Sequence, residues 1–81
     1  MKVQVRFFAA LREATGMAQV ELELPSPAEV RDLLDSLARQ YPALCSQLSF
    51  VRAAVNRQYV SMQAELRHGD EVALVPPVGG G

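Results

Sequence analysis

Glu71-Val72-Ala73-Leu74-Val75-Pro76-Pro77-Val78-Gly79-Gly80-Gly81 closes the chain. Glu71 to Val75 is an almost wholly apolar run, which predicts a final strand that is central in a sheet or buried on both faces. Pro76 and Pro77 fix their own φ and lack N–H donors, and Pro76 pushes Val75 towards an extended conformation. The strand is therefore expected to stop at Val75 and to leave as a stiff, extended exit. Gly79, Gly80 and Gly81 carry no Cβ and suit a channel too narrow for side chains. Val78 to Gly81 span at most about 13–14 Å when extended. A carboxylate on such an arm can enter a partner's pocket while the domain stays outside. Taken by itself, a run of terminal glycines reads more simply as a frayed end or a cloning remnant. The residues upstream shift that balance.

Lys2 to Phe8 alternates, with Val3, Val5 and Phe7 set against Lys2, Gln4 and Arg6, which predicts a half-buried strand. Phe8 breaks the alternation. Ala9 to Ala14 reads as a short helical turn closed by Thr15-Gly16. Gln19 to Leu24 alternates again, so the two strands form a hairpin with an enlarged connection. In Pro25-Ser26-Pro27-Ala28-Glu29, Ser26 can cap a helix, Pro27 suits its first position and Glu29 completes a capping box. The helix then runs to about Gln40, with an apolar stripe of Val30, Leu33, Leu34 and Leu37. Ala43 to Leu48 is ambiguous between loop and helical turn. Phe50 to Val55 reads as a strand ending at Asn56-Arg57, Tyr59-Val60 as a short return, and Leu66 to Asp70 as a turn broken at Gly69-Asp70.

That order predicts an α+β fold: a mixed four- to five-stranded sheet with one main helix packed across one face. First and last strands can then lie side by side. One helix covers one face only. Ala73 and Val75 have the opposite parity to Val72 and Leu74, so one pair points away from the helix. Together with Phe8 or Ala54 it would form an exposed apolar patch beside the tail, the kind of feature that marks interfaces. The domain is assigned to residues 1–77 and a flexible tail to residues 78–81.

With 81 residues and a formal net charge of −1, the chain is one small domain with no charge-driven nucleic-acid or membrane-surface role. One cysteine, Cys45, rules out an internal disulfide and fits a reducing compartment. Polar residues interrupt the apolar start, no run approaches a membrane span, and the expected setting is the cytoplasm. A phosphate-binding glycine loop with its lysine, a metal-ligand cluster and a paired nucleophile and base are all missing from the sequence.

Four segments resemble one family. Phe7-Phe8-Ala9-Ala10-Leu11-Arg12-Glu13, Ala54-Val55-Asn56, Gly69-Asp70-Glu71-Val72-Ala73 and Pro76-Pro77-Val78 with terminal Gly80-Gly81 are similar to the small, sulfur-carrying subunits of molybdopterin synthase. The likeness covers essentially the whole chain, and its terminal segment is the most specific part. Gly79 departs from the serine or threonine frequent in that family. The resemblance implies a β-grasp, ubiquitin-like fold. It implies that an adenylyltransferase of the ubiquitin-activating type uses ATP to turn the Gly81 carboxylate into an acyl adenylate. Sulfur then replaces AMP, and the thiocarboxylate enters the large catalytic subunit of molybdopterin synthase to sulfurate cyclic pyranopterin monophosphate. A heterotetramer is implied, with two small subunits at opposite ends of a large-subunit dimer. No permanently bound cofactor or metal is implied, and the catalytic residues are expected on the large subunit. On this likeness Gly81 and Gly80 are the reactive end. Phe8, Arg12, Val75, Pro76, Pro77, Val78 and Gly79 are the candidate partner-binding residues.

The chemistry fits those residue types. A carboxylate repels nucleophiles, whereas an acyl adenylate has lost that charge and gained a leaving group. Bulk at Gly80 or Gly81 would hinder attack. Other readings stay open: a sulfur carrier for thiamine, tRNA or amino-acid synthesis, a ubiquitin-like protein modifier, or a binding module with an inert tail. His68, the one histidine, is expected in a solvent-exposed loop. Cys45 reads as a small buried or plain surface thiol, and Arg12 as either a partner contact or an ordinary surface arginine.

Overall fold

The structure is a computed structural model that describes residues 1–76. Pro77 to Gly81, and with them the boundary between domain and tail, lie outside the described residues. β1 (Lys2–Phe7) is followed by α1 (Ala10–Thr15), β2 (Gln19–Glu23), β3 (Ala28–Glu29) and α2 (Val30–Gln40). A 3-10 turn (Pro42–Leu44) leads into α3 (Cys45–Leu48), then β4 (Arg52–Val55), β5 (Gln58–Val60), β6 (Glu65–Leu66) and β7 (Glu71–Val75). The main sheet has the order β2-β1-β7-β4-β5, and β3 pairs with β6 in a separate two-stranded ladder. β7 runs parallel to β1 and antiparallel to β4. First and last strands thus lie side by side at the centre, as the β-grasp fold requires.

Alternation builds the core. Val3, Val5 and Phe7 of β1, Leu22 of β2, Ala53 of β4 and Val72 and Leu74 of β7 are buried on one face of the sheet. α2 lays Val30, Leu33 and Leu37 onto that face, all fully buried, while Leu34 sits half-buried at the edge of the stripe. Leu11, Leu44, Leu48 and Val51 close the core at the end where β7 leaves the sheet. A large-to-alanine change at Leu33 or Leu37 would remove about 2–5 kcal/mol. Phe7 belongs to this core and meets Tyr41 edge to face at 6.4 Å between ring centroids. Phe8, one residue on, is exposed.

The start of α2 differs from the expectation. Its capping box is formed by Glu29 and Asp32, three residues beyond the Ser26–Glu29 pair that the spacing suggested. The Glu29 N–H donates to Asp32 Oδ2 at 2.8 Å, and the Glu29 carboxylate accepts from the Asp32 backbone N–H. Ala28 and Glu29 are held extended by pairing with Leu66 and Glu65, so the helix cannot begin before Val30. Two further N–H groups of the first turn, those of Val30 and Arg31, donate to the carbonyls of Ala64 and Met62 at 3.0 and 2.9 Å. Tertiary carbonyls thus satisfy donors that a helix start leaves open.

Other boundaries shift less. The strand expected from Phe50 begins at Arg52, because the Phe50 N–H closes a turn onto the Gln47 carbonyl at 3.1 Å. Leu66, assigned to a turn, is a buried strand residue. The Asn56-Arg57 connection between β4 and β5 has φ values of 50° and 73°, the signature of a tight hairpin turn. His68 is exposed as expected, and its Nδ1 accepts the Lys2 N–H at 3.0 Å. Cys45 is an exposed free thiol, which removes its reading as a buried apolar residue.

Candidate functional site

β7 is central but not buried on both faces. Val72 and Leu74 point into the core, whereas Glu71, Ala73 and Val75 are half-buried on the far side, which no described helix covers. Strand register assigns neighbours to that outer face. Ala73 lies opposite Arg6 on one side and Ala54 on the other, and Ala54 lies opposite Tyr59. Val75, the last strand residue, lies opposite Arg52.

Two arginines lean over aromatic rings on this face. The Arg6 guanidinium carbon is 5.8 Å from the Phe8 ring centroid, and that of Arg52 is 4.9 Å from the Tyr59 centroid. Both fall within cation–π range. The first contact places Phe8 on the outer face, where it joins Ala73, Val75, Ala54 and Tyr59 in an apolar patch at the tail end of the sheet. Phe8 is 39% and Tyr59 60% exposed, large values for aromatic residues. Nothing among the described residues covers them. The opposite end of the same face is polar: Lys2 faces Glu21 at 3.9 Å, and Gln4 and Gln19 exchange a hydrogen bond of 2.9 Å. Arg6 also faces Glu71 at 3.9 Å and marks the border between the two halves.

The chain reaches this patch through a local break. Ala9 has φ 48°, a left-handed value rare for a residue with a Cβ. It turns the backbone out of β1 so that Leu11 packs inward while Phe8 stays outside. α1 ends at Gly16, whose φ of 74° lets its N–H reach the Arg12 carbonyl at 2.8 Å.

Of the sequence candidates, Phe8 and Val75 meet on one face beside the root of the tail. Pro76 is half-buried and borders a shallow apolar cleft with Leu11, Gln47, Phe50 and Val51 on the helix side. Arg12 is apart from the sheet patch, exposed on α1. Pro77, Val78, Gly79, Gly80 and Gly81 lie outside the described residues. Three patch residues escaped the sequence reading as site candidates: Tyr59, Arg52 and Arg6. The parity of β4 and β5 relative to β7 would have identified them, but that requires the strand register. Phe50, 69% exposed beside Pro76 in the helix-side cleft and so outside the patch, escaped the sequence reading as well. The expected strand from Phe50 concealed it.

Among the described residues no group of three or more His, Cys, Asp or Glu side chains is arranged to hold a metal ion. No described helix is long and apolar enough to cross a membrane. What the described residues offer is an exposed apolar face around the end of β7, without an acid–base constellation among them.

The chain is similar to molybdopterin synthase sulfur carrier subunits from Arabidopsis thaliana and Chlamydomonas reinhardtii. The first is 36% identical over 81 residues, covering 100% of this chain and 84% of the relative. The second is 39% identical over 83 residues and covers 100% of both. Among solved structures, the small archaeal modifier protein 1 of Haloferax volcanii superposes with a TM-score of 0.85 at 28% identity, covering 95% of this chain and 98% of that one. The ThiS family model matches residues 5–81, a span that runs from the middle of β1 to the glycine tail. On that match, supported by carrier subunits aligned along its full length, the chain belongs to the ThiS family.

Proposed function

We propose that this protein is a sulfur carrier for molybdenum cofactor biosynthesis, acting as the small subunit of a molybdopterin synthase. The observation that carries the reading is where β7 ends. This central strand stops at Val75, at the edge of an exposed apolar patch, and the sequence after it runs to Gly80-Gly81. The names of the full-length relatives point to the same role.

In the proposed cycle the Gly81 carboxylate oxygen attacks the α-phosphorus of ATP on an adenylyltransferase, and pyrophosphate leaves. Sulfur at the sulfide level, as hydrosulfide, then adds to the acyl carbon, and AMP leaves with the C–O bonding pair as a proton is released. The product is a thiocarboxylate. It donates sulfur to cyclic pyranopterin monophosphate in the large catalytic subunit, building the dithiolene. Gly80 and Gly81 keep the acyl carbon accessible. Val78 and Gly79 span the distance to the reacting centre. Phe8, Val75 and Tyr59 form the apolar contact of the docking face, with Arg6 and Arg52 at its rim. Arg12, Pro76 and Pro77 are the remaining proposed contacts. ATP is a substrate of the partner, so the carrier itself holds no permanent cofactor.

The test is mass spectrometry after incubation with ATP, the cognate adenylyltransferase and a sulfur donor. The expected product has one terminal oxygen replaced by sulfur. Failure to gain that mass under conditions that load another carrier of the family would refute the reading. Removing Gly81 or adding a residue after it is expected to abolish loading while leaving the fold intact. A second reading, a protein modifier, is favoured by the likeness to the Haloferax protein. It predicts Gly81 joined to lysines of other proteins by isopeptide bonds. Co-purification with a different sulfur-accepting synthase would instead move the carrier to another sulfur pathway.

A further inference from the structure

An activated acyl group reacts with any amine that it meets, and the domain carrying it is always nearby. The cations of this chain bear on that problem. Lys2 is the single lysine among 81 residues, and the other seven basic residues are arginines. A guanidinium stays protonated in proteins and is no acyl acceptor, whereas a lysine ammonium releases its proton to become a nucleophile. The two cations beside the root of the tail, Arg6 and Arg52, are both arginine.

Lys2 is also badly placed for attack from the tail. Gln4 is level with Glu71 in the parallel ladder, so Lys2 is level with residue 69, six residues back from Val75. At about 3.3 Å per residue, that is roughly 20 Å. Six residues after Val75 would span about 20 Å if fully extended, and β7, parallel to β1, itself runs away from Lys2 towards Val75. Reversing direction takes about four residues. The Lys2 amine further faces Glu21 at 3.9 Å, and the Met1 amino group, one residue more distant, donates to the Leu24 carbonyl at 2.7 Å.

We propose that the lysine-free surface around the root of the tail is a specificity device. It leaves an activated Gly81 no amine acceptor within easy reach on its own domain, so that an external nucleophile takes the acyl group. The proposal rests on the reading that Gly81 becomes an activated acyl donor. The reaction prevented is attack of a neutral amine on the acyl carbon, with loss of AMP and a proton and formation of an amide. Cys45 is a thiol, and any thioester that it formed would reverse in excess thiol.

The test uses the full chain carrying a chemically installed aryl thioester on Gly81. It therefore needs no activating enzyme, and a failure of enzymatic activation leaves it untouched. At mildly alkaline pH, with excess free thiol and dilute protein, the unaltered chain is expected to hydrolyse to the free acid. Arg52→Lys, which preserves charge beside Val75, is expected to give on the order of tenfold more internal amide, because proximity raises the effective amine concentration. Gln47→Lys, beside Pro76 in the helix-side cleft, is the second variant. Peptide mapping locates the amide. Internal amide at Lys2 or Met1 in the unaltered chain at a comparable rate would overturn the proposal. So would the absence of any increase in both folded variants.

Discussion

Single residues decide how the start of β7 is joined to the end of β4. The Asn56 side chain donates from Nδ2 to Asp70 Oδ1 at 2.9 Å and accepts the Glu71 N–H on Oδ1 at 3.0 Å. Asp70 Oδ2 accepts the Arg67 N–H at 2.8 Å, and the Asn56 N–H donates to the Glu71 carbonyl at 2.8 Å. Ala54-Val55-Asn56 and Gly69-Asp70-Glu71, two separate segments in the sequence, therefore form one clip that sets the start of β7. Asn56 at φ 50° also occupies the left-handed region, where asparagine is tolerated better than most residues. Asn56→Ala and Asp70→Ala are each expected to destabilise by about 0.5–1.5 kcal/mol, since each removes hydrogen bonds at an exposed site where water can take up the partners. The double variant should lose less than the sum, because both members belong to one network. Urea denaturation midpoints check this, and strict additivity would dissolve the clip. The same scale explains Phe7 and Phe8. Alternation from Val3 through Val5 assigns Phe7 to the core. The position of Phe8 depends on the turn at Ala9, which no residue type there announces.

Among the elements, strong periodicity was legible and short ladders were not. β1, β2 and α2 have enough turns or alternations for their buried faces to be read from Val3-Val5-Phe7, Val20-Leu22-Leu24 and Val30-Leu33-Leu37. β3 and β6 contain two residues each, too few to carry a period, and their pairing joins segments far apart in sequence. That unseen ladder displaced the helix start. Pro25-Ser26-Pro27 has the local chemistry of a cap, but Ala28 and Glu29 are committed to the ladder before the helix can begin. The two assignments predict opposite outcomes. Asp32→Ala is expected to cost about 0.5–2 kcal/mol through loss of its bond to the Glu29 N–H. Ser26→Ala, at an exposed position, should stay within about 0.5 kcal/mol of the unaltered protein. Thermal or urea unfolding of the two variants decides between them, and a larger loss at Ser26 would restore the earlier cap.

For the whole molecule, the sheet divides by side-chain chemistry as well as by face. The inner face holds the fold together, and the outer face is split between a polar half around Lys2 and Glu21 and an apolar half around Phe8, Ala73, Val75, Ala54 and Tyr59. The sequence showed that an unpaired apolar face must exist, since one helix cannot cover both sides. It could not show which strands contribute, because that depends on the order β2-β1-β7-β4-β5. The apolar half flanks the end of β7, so on the proposed function it is the surface nearest to a partner that receives the tail. Aromatic residues bordered by arginine are the types that dominate binding energy when desolvated. Tyr59→Asp and Phe8→Asp place a charge where the partner would exclude water. Each is expected to weaken binding to the large catalytic subunit by at least about tenfold, or roughly 1.4 kcal/mol. Stability should change little, because both side chains are largely exposed and the core beneath them is intact. Glu21→Ala, on the polar half of the same face, should leave affinity within about threefold, as expected of a charge outside the apolar contact. Isothermal titration of the three variants against the same partner, with unfolding curves alongside, tests the division. Undiminished affinity in both aspartate variants would mean that the partner grips the tail without the sheet, and the patch would lose its role.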